Sequence, residues 1–140
     1  RRWPGLEIAG ILRLSLGVKL IATLARFAGR EDSVDYHRAG SLLADSFRRL
    51  DFVVDPGREV PGTGTVRYLT GLVEVVTFEN EFATFAVFSL FGFVGLVWFV
   101  EAFRIALPGV DHRRYALLLL FWPSLVYWPS SIGKESLMLL

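Results

Sequence analysis

The chain has 140 residues, of which 53% are hydrophobic and 14% aromatic, and its formal net charge at pH 7 is +1. The apolar fraction is above that of an average soluble domain, which predicts a membrane protein. The near-neutral charge, and the lack of a basic stripe with interleaved aromatic residues, give no reason to propose a nucleic-acid partner. The sequence contains no cysteine, which excludes disulfide bonds, thiolate nucleophiles and cysteine-ligated zinc sites.

The first candidate membrane span covers residues 6–27. Its eleven Leu, Ile, Val and Phe residues favour insertion by about 0.5 kcal/mol each, and the central charges of Arg13 and Lys19 oppose insertion by about 3 kcal/mol each. The balance is close to zero, so neighbouring helices would have to shelter the two cations. We predict a transmembrane helix here, and an interfacial amphipathic helix is the alternative.

Residues 29–81 are polar, with ten acidic residues and six arginines, and are predicted to form a large loop outside the bilayer. Within this loop, residues 33–50 are predicted to form an amphipathic helix, which would lie on the bilayer surface or against the transmembrane helices. Its apolar stripe has helical spacing and consists of Tyr36, Ala39, Leu43, Phe47 and Leu50. After turn signals at 55–57 and 61–64, residues 66–78 fit a short helix better than a strand, and Asn80 is expected to end it.

Two uncharged runs of nineteen residues, 82–100 and 115–133, are each long enough to cross a bilayer. We predict spans over 82–104 and 115–133, joined by a basic turn, and a fourth helix starting at 136–140. Pro123 and Pro129 break helical hydrogen bonding at or near membrane depth, which is tolerated only where protein or a cavity satisfies the freed carbonyls. The predicted fold is an all-α polytopic transmembrane helical bundle, part of a longer protein whose remaining helices would complete it.

Arginines near the span ends predict the orientation, because cations favour the inner side. They lie at the start of the chain and between the two strongest spans: Arg1, Arg2, Arg104, Arg113 and Arg114. The acidic loop is then external, and the third span returns residues 130–135 to the same face as that loop. We expect a functional site on this shared face.

Acidic residues stand where the first span would emerge on the outside. Asp32, and Asp35 as the second choice, could accept a proton or hold a divalent cation. A structural explanation is equally good, because Asp32 can cap a helix that begins at Ser33 and Asp35 favours the first helical turn. Tyr36 and His37 follow directly and are predicted to shape a substrate pocket.

Another charged patch consists of Lys134 and Glu135. It is predicted at the outer end of the third span, and both residues are assigned to substrate binding. The lysine could hold a phosphate or pyrophosphate headgroup as a point charge. The alternative is that the two charges only delimit two hydrophobic helices.

Two local patterns in the second span predict structural roles, one in helix packing and one in a local ion pair. Ser89, Gly92 and Gly95 recur every three residues on one side, which favours helix packing. Glu101 and Arg104 are three residues apart and predict a local ion pair near the inner boundary.

The order of these elements is similar to a known family. An Asp-Ser-x-x-Tyr-His pattern at 32–37, an amphipathic helix, a Gly-Thr turn at 62–65 and an aromatic span together resemble the amino-terminal part of GT-C type membrane glycosyltransferases. The stretch 121–135, with its Trp-Pro-Ser repeats, looks similar to a motif in uncharacterised members of the group.

The resemblance implies that a sugar is moved from an isoprenoid phosphate carrier to an acceptor on the outer face of the bacterial cytoplasmic membrane. Asp32 would be the base or a metal-linked group, and Lys134 would contact the donor phosphate. The cofactor is unknown from the sequence, and a divalent cation is the candidate. The alternative function is a transporter or flippase-like subunit without catalysis, in which Arg13 and Lys19 would line a path.

Overall fold

The computed structural model describes residues 8–29, 33–57 and 59–140. All the elements within these ranges are α-helices, which confirms the all-α prediction. They are α1 (Ala9–Ala28), α2 (Ser33–Arg48), α3 (Thr63–Thr77), α4 (Glu81–Ala106), α5 (His112–Phe121), α6 (Pro123–Tyr127) and α7 (Lys134–Leu139).

Helix α4 is long and apolar enough to cross a membrane, and it contains the predicted span 82–104. Its 26 residues extend about 39 Å, more than the hydrocarbon core requires. The Asn80 side chain accepts a hydrogen bond from Ala83 N at 2.9 Å and caps the first turn. The prediction that Asn80 ends the preceding helix was therefore wrong, since α3 ends at Thr77 and Phe78 adopts a left-handed conformation.

Helix α1 is helical as predicted, but within the described ranges only α4 has the length and composition of a span. The three cations of α1, Arg13, Lys19 and Arg26, make it less apolar than α4. A polytopic bundle is thus not established. The α1 helix runs antiparallel to α4, because Ile8 and Ile11 cluster with the later part of α4, whereas the Phe27 ring meets rings at its start at 5.3–5.4 Å.

Residues 115–133 do not form one continuous helix, and the breaks in helical hydrogen bonding predicted at Pro123 and Pro129 are present. Helix α5 ends at Phe121, Pro123 begins the short helix α6, and residues 128–133 are not helical. Proline has no amide proton and disfavours a helical conformation in the residue before it, and Trp122 is accordingly extended (φ −64°, ψ 121°). Helix α7 then begins at Lys134, two residues before the predicted start at 136.

Residues 115–133, which we call the broken segment, still pack along α4. Ala116 of α5 packs against the later part of α4, and Ile132 packs against Phe85 and Phe88 near its start. Helix α7 then returns along α4, since a Cβ at Gly92 would lie 2.9 Å from Pro129 Cβ and one at Gly95 would lie 1.9 Å from Leu139 O. The predicted packing role of the small residues on α4 is confirmed.

Helices α2 and α3 pack against each other outside this group and cross at two glycines. A Cβ at Gly40 would lie 2.6 Å from Thr70 Cγ2, and one at Gly71 would lie 2.7 Å from Phe47 Cε2. Phe47, on the predicted apolar stripe, is buried at this crossing, whereas Leu50 is exposed because α2 ends at Arg48 and Leu50 has a φ of 63°. Helix α3 starts earlier than predicted, directly after Gly62, whose φ of 139° suits only glycine.

We expect Gly40→Val to lower the free energy of unfolding by about 2 kcal/mol, because the added side chain overpacks the crossing. The neighbouring Gly71 N would be 3.1 Å from the new Cβ, and backbone cannot move aside as a side-chain tip can. Denaturant unfolding of the detergent-solubilised chain measures the effect. Gly17→Val is the matched control, since nothing lies within 4 Å of a Cβ there. An equal loss in both variants would contradict tight packing at the crossing.

Candidate functional site: a buried His–Glu pair beside the membrane-length helix

A histidine and a glutamate from the two crossing helices form a short contact. His37 lies near the start of α2, and Glu74 lies near the end of α3. His37 Nδ1 is 2.5 Å from Glu74 Oε1, with the Glu74 side chain fully buried and the His37 side chain 19% exposed. A buried carboxylate needs such partners, because removing an ionised group from water is costly.

The second carboxylate oxygen of Glu74 is also held. Thr77 Oγ1 donates to Glu74 Oε2 at 3.4 Å, and the same hydroxyl is 2.8 Å from Thr84 Oγ1 on α4. The His–Glu pair is therefore linked to the start of the membrane-length helix through two threonines. Both oxygens of the carboxylate have partners, which fixes its orientation.

The contact determines how His37 can act. An ionised carboxylate only accepts hydrogen bonds, so when Glu74 is ionised the Nδ1 of His37 carries the proton that points at it. The other ring nitrogen, Nε2, is then the one able to accept a proton. This arrangement of a histidine oriented by a carboxylate is one that general-base catalysis uses.

His37 lines a polar depression of about 360 Å³. Charged side chains from α2, from the α3–α4 connection and from the start of α4 line it as well: Arg38, Asp45, Glu79 and Glu81. Arg48 forms an ion pair with Glu79 and donates to Glu74 O at 3.4 Å. The hydrogen bond that Arg48 donates to Glu79 raises the pKa of Arg48 above its usual value, so this guanidinium remains a fixed positive charge.

The structure separates the residues predicted at the start of α2. Asp32 lies outside the described residues. Asp35 is exposed in the first turn of α2 and does not line the depression. Tyr36 is half-buried and packs against the cluster of Phe85, Phe88 and Ile132. Of the three that the structure describes, His37 is the one that lines the depression.

Lys134 and Glu135 are exposed at the start of α7. Glu135 lines a different, mainly apolar groove of about 600 Å³. Ser131, just before them, accepts a hydrogen bond from Arg26 at 3.1 Å, and Ile132 shares a cluster with Tyr36. The broken segment thus returns to the end of α1 and the start of α2, as predicted, but in the part of the chain that is described no cavity joins the two patches.

A second candidate feature is a row of polar side chains on α1 that are buried against the neighbouring helices. Ser15, Lys19 and Thr23 follow at intervals of four residues and are all buried, whereas Arg13 is exposed. Lys19 Nζ donates to Val126 O at 3.2 Å and to Leu125 O at 3.4 Å. These carbonyls belong to α6, at whose end carbonyl groups have no helical partner and a cation is favourable. The predicted shelter for Lys19 is therefore the broken helix.

We expect Thr23 and Ser89 to be energetically coupled by about 1 kcal/mol, the usual net contribution of a hydrogen bond. Thr23 Oγ1 donates to Ser89 Oγ at 2.7 Å between α1 and α4, and both side chains are buried. A double-mutant cycle of Thr23→Val and Ser89→Ala, read from unfolding free energies, measures this coupling. Strictly additive losses would show that the contact contributes nothing.

Within residues 8–29, 33–57 and 59–140, no group of three or more His, Asp or Glu side chains is arranged to hold a metal ion. The predicted ion pair at the end of α4 is present, since Arg104 Nε donates to Glu101 Oε2 at 2.9 Å.

No protein-family model matches the chain, and no curated protein or solved structure matches it either.

Sequence reasoning missed Glu74 and Arg26. Glu74 had a signal, because it is a lone acid in the apolar run Gly-Leu-Val-Glu-Val-Val at 71–76, and an acid within the apolar face of a helix requires a partner. Arg26 lies at the end of the predicted first span, where a cation can reach the bilayer surface and needs no protein partner. The structure instead places its guanidinium carbon 5.0 Å from the Tyr127 ring centroid and 5.1 Å from that of Trp128.

Proposed function

We propose that this chain belongs to a membrane glycosyltransferase of the GT-C type, which moves a sugar from an isoprenoid phosphate carrier to an acceptor on the outer face of the bacterial cytoplasmic membrane. The observation that carries this proposal is the His37–Glu74 pair, which lines a polar depression beside the start of α4. His37 takes the role of the base, and Glu74 holds its ring in position.

The proposed reaction uses His37 Nε2 to accept the proton of an acceptor hydroxyl. The hydroxyl oxygen forms a bond to the anomeric carbon of the sugar, and the bond from that carbon to the carrier phosphate breaks. The phosphate leaves with the electron pair of the broken bond. A base contributes most when it is held within hydrogen-bond reach of its proton, and the buried carboxylate fixes His37 in this way.

The location of the pair supports a substrate delivered from a bilayer. Glu81, the first residue of the membrane-length helix, lines the same depression as His37. A carrier whose chain lies in lipid would present its phosphate and sugar at this level, where polar groups meet the end of the span. With His37 as the base, Asp32 keeps the metal-linked role that the family resemblance also assigns to it, and Lys134 remains a candidate contact for the donor phosphate.

Reconstitution of the full-length protein in lipid vesicles tests the proposal. The probes are undecaprenyl phosphates carrying radiolabelled glucose, galactose or mannose, each incubated with and without added membrane lipids and cell-wall glycans as acceptors. We expect label from one donor to move from the carrier fraction into an acceptor. If none of the labelled donors is consumed beyond the rate of protein-free vesicles, the proposal fails.

A transporter or flippase-like subunit is the second candidate function. It is favoured by the helix break at Trp122–Pro123 and by the buried Lys19, which donates to carbonyls of the short helix α6 after the break, since interrupted helices with buried charges mark transport sites. This function predicts loss of transport in Lys19→Met and tolerance of Arg13→Gln, because Arg13 is exposed. It also predicts that His37→Gln leaves transport unchanged.

A further inference from the structure

Two cations on α1 lie inside the helix assembly without a carboxylate partner among the described residues. The Lys19 side chain is 2% exposed and contacts only neutral carbonyl groups. Arg26, two turns later, is half-buried and donates to the neutral hydroxyl of Ser131. A buried charge without a counter-charge is costly, particularly next to a membrane-length helix. Among the described residues, the two positive charges are therefore not balanced by a carboxylate.

The guanidinium of Arg26 has unused hydrogen-bonding capacity. Arginine has five N–H donors, and the Nε of Arg26 is buried with no acceptor. The rings of Tyr127 and Trp128 lie about 5 Å from its guanidinium carbon, which holds the group in place by cation–π attraction. A fixed guanidinium with free donors is suited to an oxyanion such as a phosphate.

An apolar groove adjoins the same residues. It has a volume of about 600 Å³, and Leu125, Trp128, Pro129, Met138 and Leu139 line it together with the polar residues Ser124 and Glu135. Leu125 also supplies a carbonyl to Lys19, and Trp128 also packs on Arg26. Through these two shared residues the groove adjoins the region of the two cations, and Glu135 is the acidic residue among those that line it.

We propose that Lys19 and Arg26 bind the phosphate of an anionic lipid whose hydrocarbon chain occupies the groove lined by Trp128, Met138 and Leu139. Charge complementarity supports a phosphate, and the adjoining apolar groove supports a lipid as its source. This inference deepens the proposed function by assigning a carrier-phosphate site, but it concerns binding and can be tested without turnover.

The test compares thermal unfolding of the full-length protein in dodecylmaltoside micelles that contain dioleoyl phosphatidic acid or dioleoylglycerol. The two lipids share the same chains and differ in the phosphate. We expect phosphatidic acid alone to raise the unfolding temperature, because a ligand that binds only the folded state stabilises it. The apparent affinity should fall about tenfold in Arg26→Gln, which corresponds to about 1.4 kcal/mol, and should fall similarly in Lys19→Met.

Two matched variants remove one exposed cation each, Arg13→Gln and Arg113→Gln, and should retain the wild-type affinity. An equal loss in these controls would show a diffuse electrostatic effect and would overturn the site. Equal stabilisation by inorganic phosphate would overturn the lipid as ligand, and the absence of any stabilisation by phosphatidic acid over dioleoylglycerol would overturn the proposal altogether.

Two further measurements keep the inference separate from folding defects and from the proposed function. If Lys19→Met does not fold, Arg26→Gln and Trp128→Ala still decide the outcome, since both should weaken binding. His37→Gln should bind phosphatidic acid like the wild type. Normal lipid binding combined with no sugar transfer by the wild-type protein would reject the glycosyltransferase and retain the lipid site.

Discussion

Substitution of His37 by glutamine is expected to lower the rate of sugar transfer by about 10²- to 10⁴-fold, the usual contribution of a general base. Glutamine can still donate a hydrogen bond to the buried Glu74 carboxylate, which His37 Nδ1 contacts at 2.5 Å, but an amide cannot accept a proton at neutral pH. The substitution therefore removes the base while it leaves the carboxylate with a partner. Initial rates with the radiolabelled donor identified above measure the effect.

The chain contains a second histidine that serves as the control. His112 begins α5, at the opposite end of α4 from the depression, and His112→Gln should retain wild-type activity. Glu74→Gln should also lower the rate, and combining it with His37→Gln should cost nothing further, because residues that act as a unit are not additive. Full activity of a folded His37→Gln protein would remove the base from the proposal.

A structural role for the His–Glu pair predicts a different pattern. If the pair only joined α2 to α3, its loss would lower the unfolding temperature. It would then reduce activity no more than a different substitution that loosens the packing of α2 against α3. Gly40→Val disturbs that contact without touching either titratable side chain. A His37→Gln protein that is more stable than Gly40→Val but far less active would distinguish catalysis from packing.

How well the sequence predicted each helix depended on the strength of its local signals. The long helix α4 was predictable because its uncharged run exceeds what a bilayer crossing needs. The run at 115–133 is equally apolar, but composition alone does not decide whether a helix is continuous. Pro123 ends α5 by removing a backbone donor, and Lys19 from α1 donates to the carbonyls of Leu125 and Val126 near the end of the short helix α6 that follows. That compensation comes from more than 100 residues away and has no local pattern.

Of the two residues that form the candidate pair, one could be singled out from the sequence. The reason is again that local patterns are visible in a sequence and contacts between distant residues are not. His37 was selected from the chain because it lies in a polar, potentially catalytic stretch, whereas Glu74 was not, since the two meet only where α2 and α3 cross at Gly40 and Gly71. The crossing depends on the absence of side chains at these glycines, which periodicity does not report. The pair of Lys134 and Glu135 had a strong local signal but lies on an exposed surface.

Substitution of Gly95 by alanine is expected to lower the free energy of unfolding by about 3 kcal/mol, at the upper end of overpacking effects. The new Cβ would lie 1.9 Å from Leu139 O, 2.3 Å from Leu139 C and 2.9 Å from Leu140 N. All three are backbone atoms, so α7 must move away from α4. The gain in helix propensity from glycine to alanine is only about 1 kcal/mol and does not compensate for this clash.

The lack of cysteine in the sequence makes the displacement of α7 directly measurable. Leu137→Cys introduces a single thiol at a half-buried position packed against Phe85, Phe88 and Ile132. Its reaction with a membrane-impermeant maleimide should be slow in the parent and clearly faster when Gly95→Ala is added. Gly17→Ala is the control, because a Cβ there meets nothing within 4 Å. An unchanged labelling rate in the Gly95 variant would mean that α7 does not pack against α4, and the groove beside Met138 and Leu139 would then lose one of its walls.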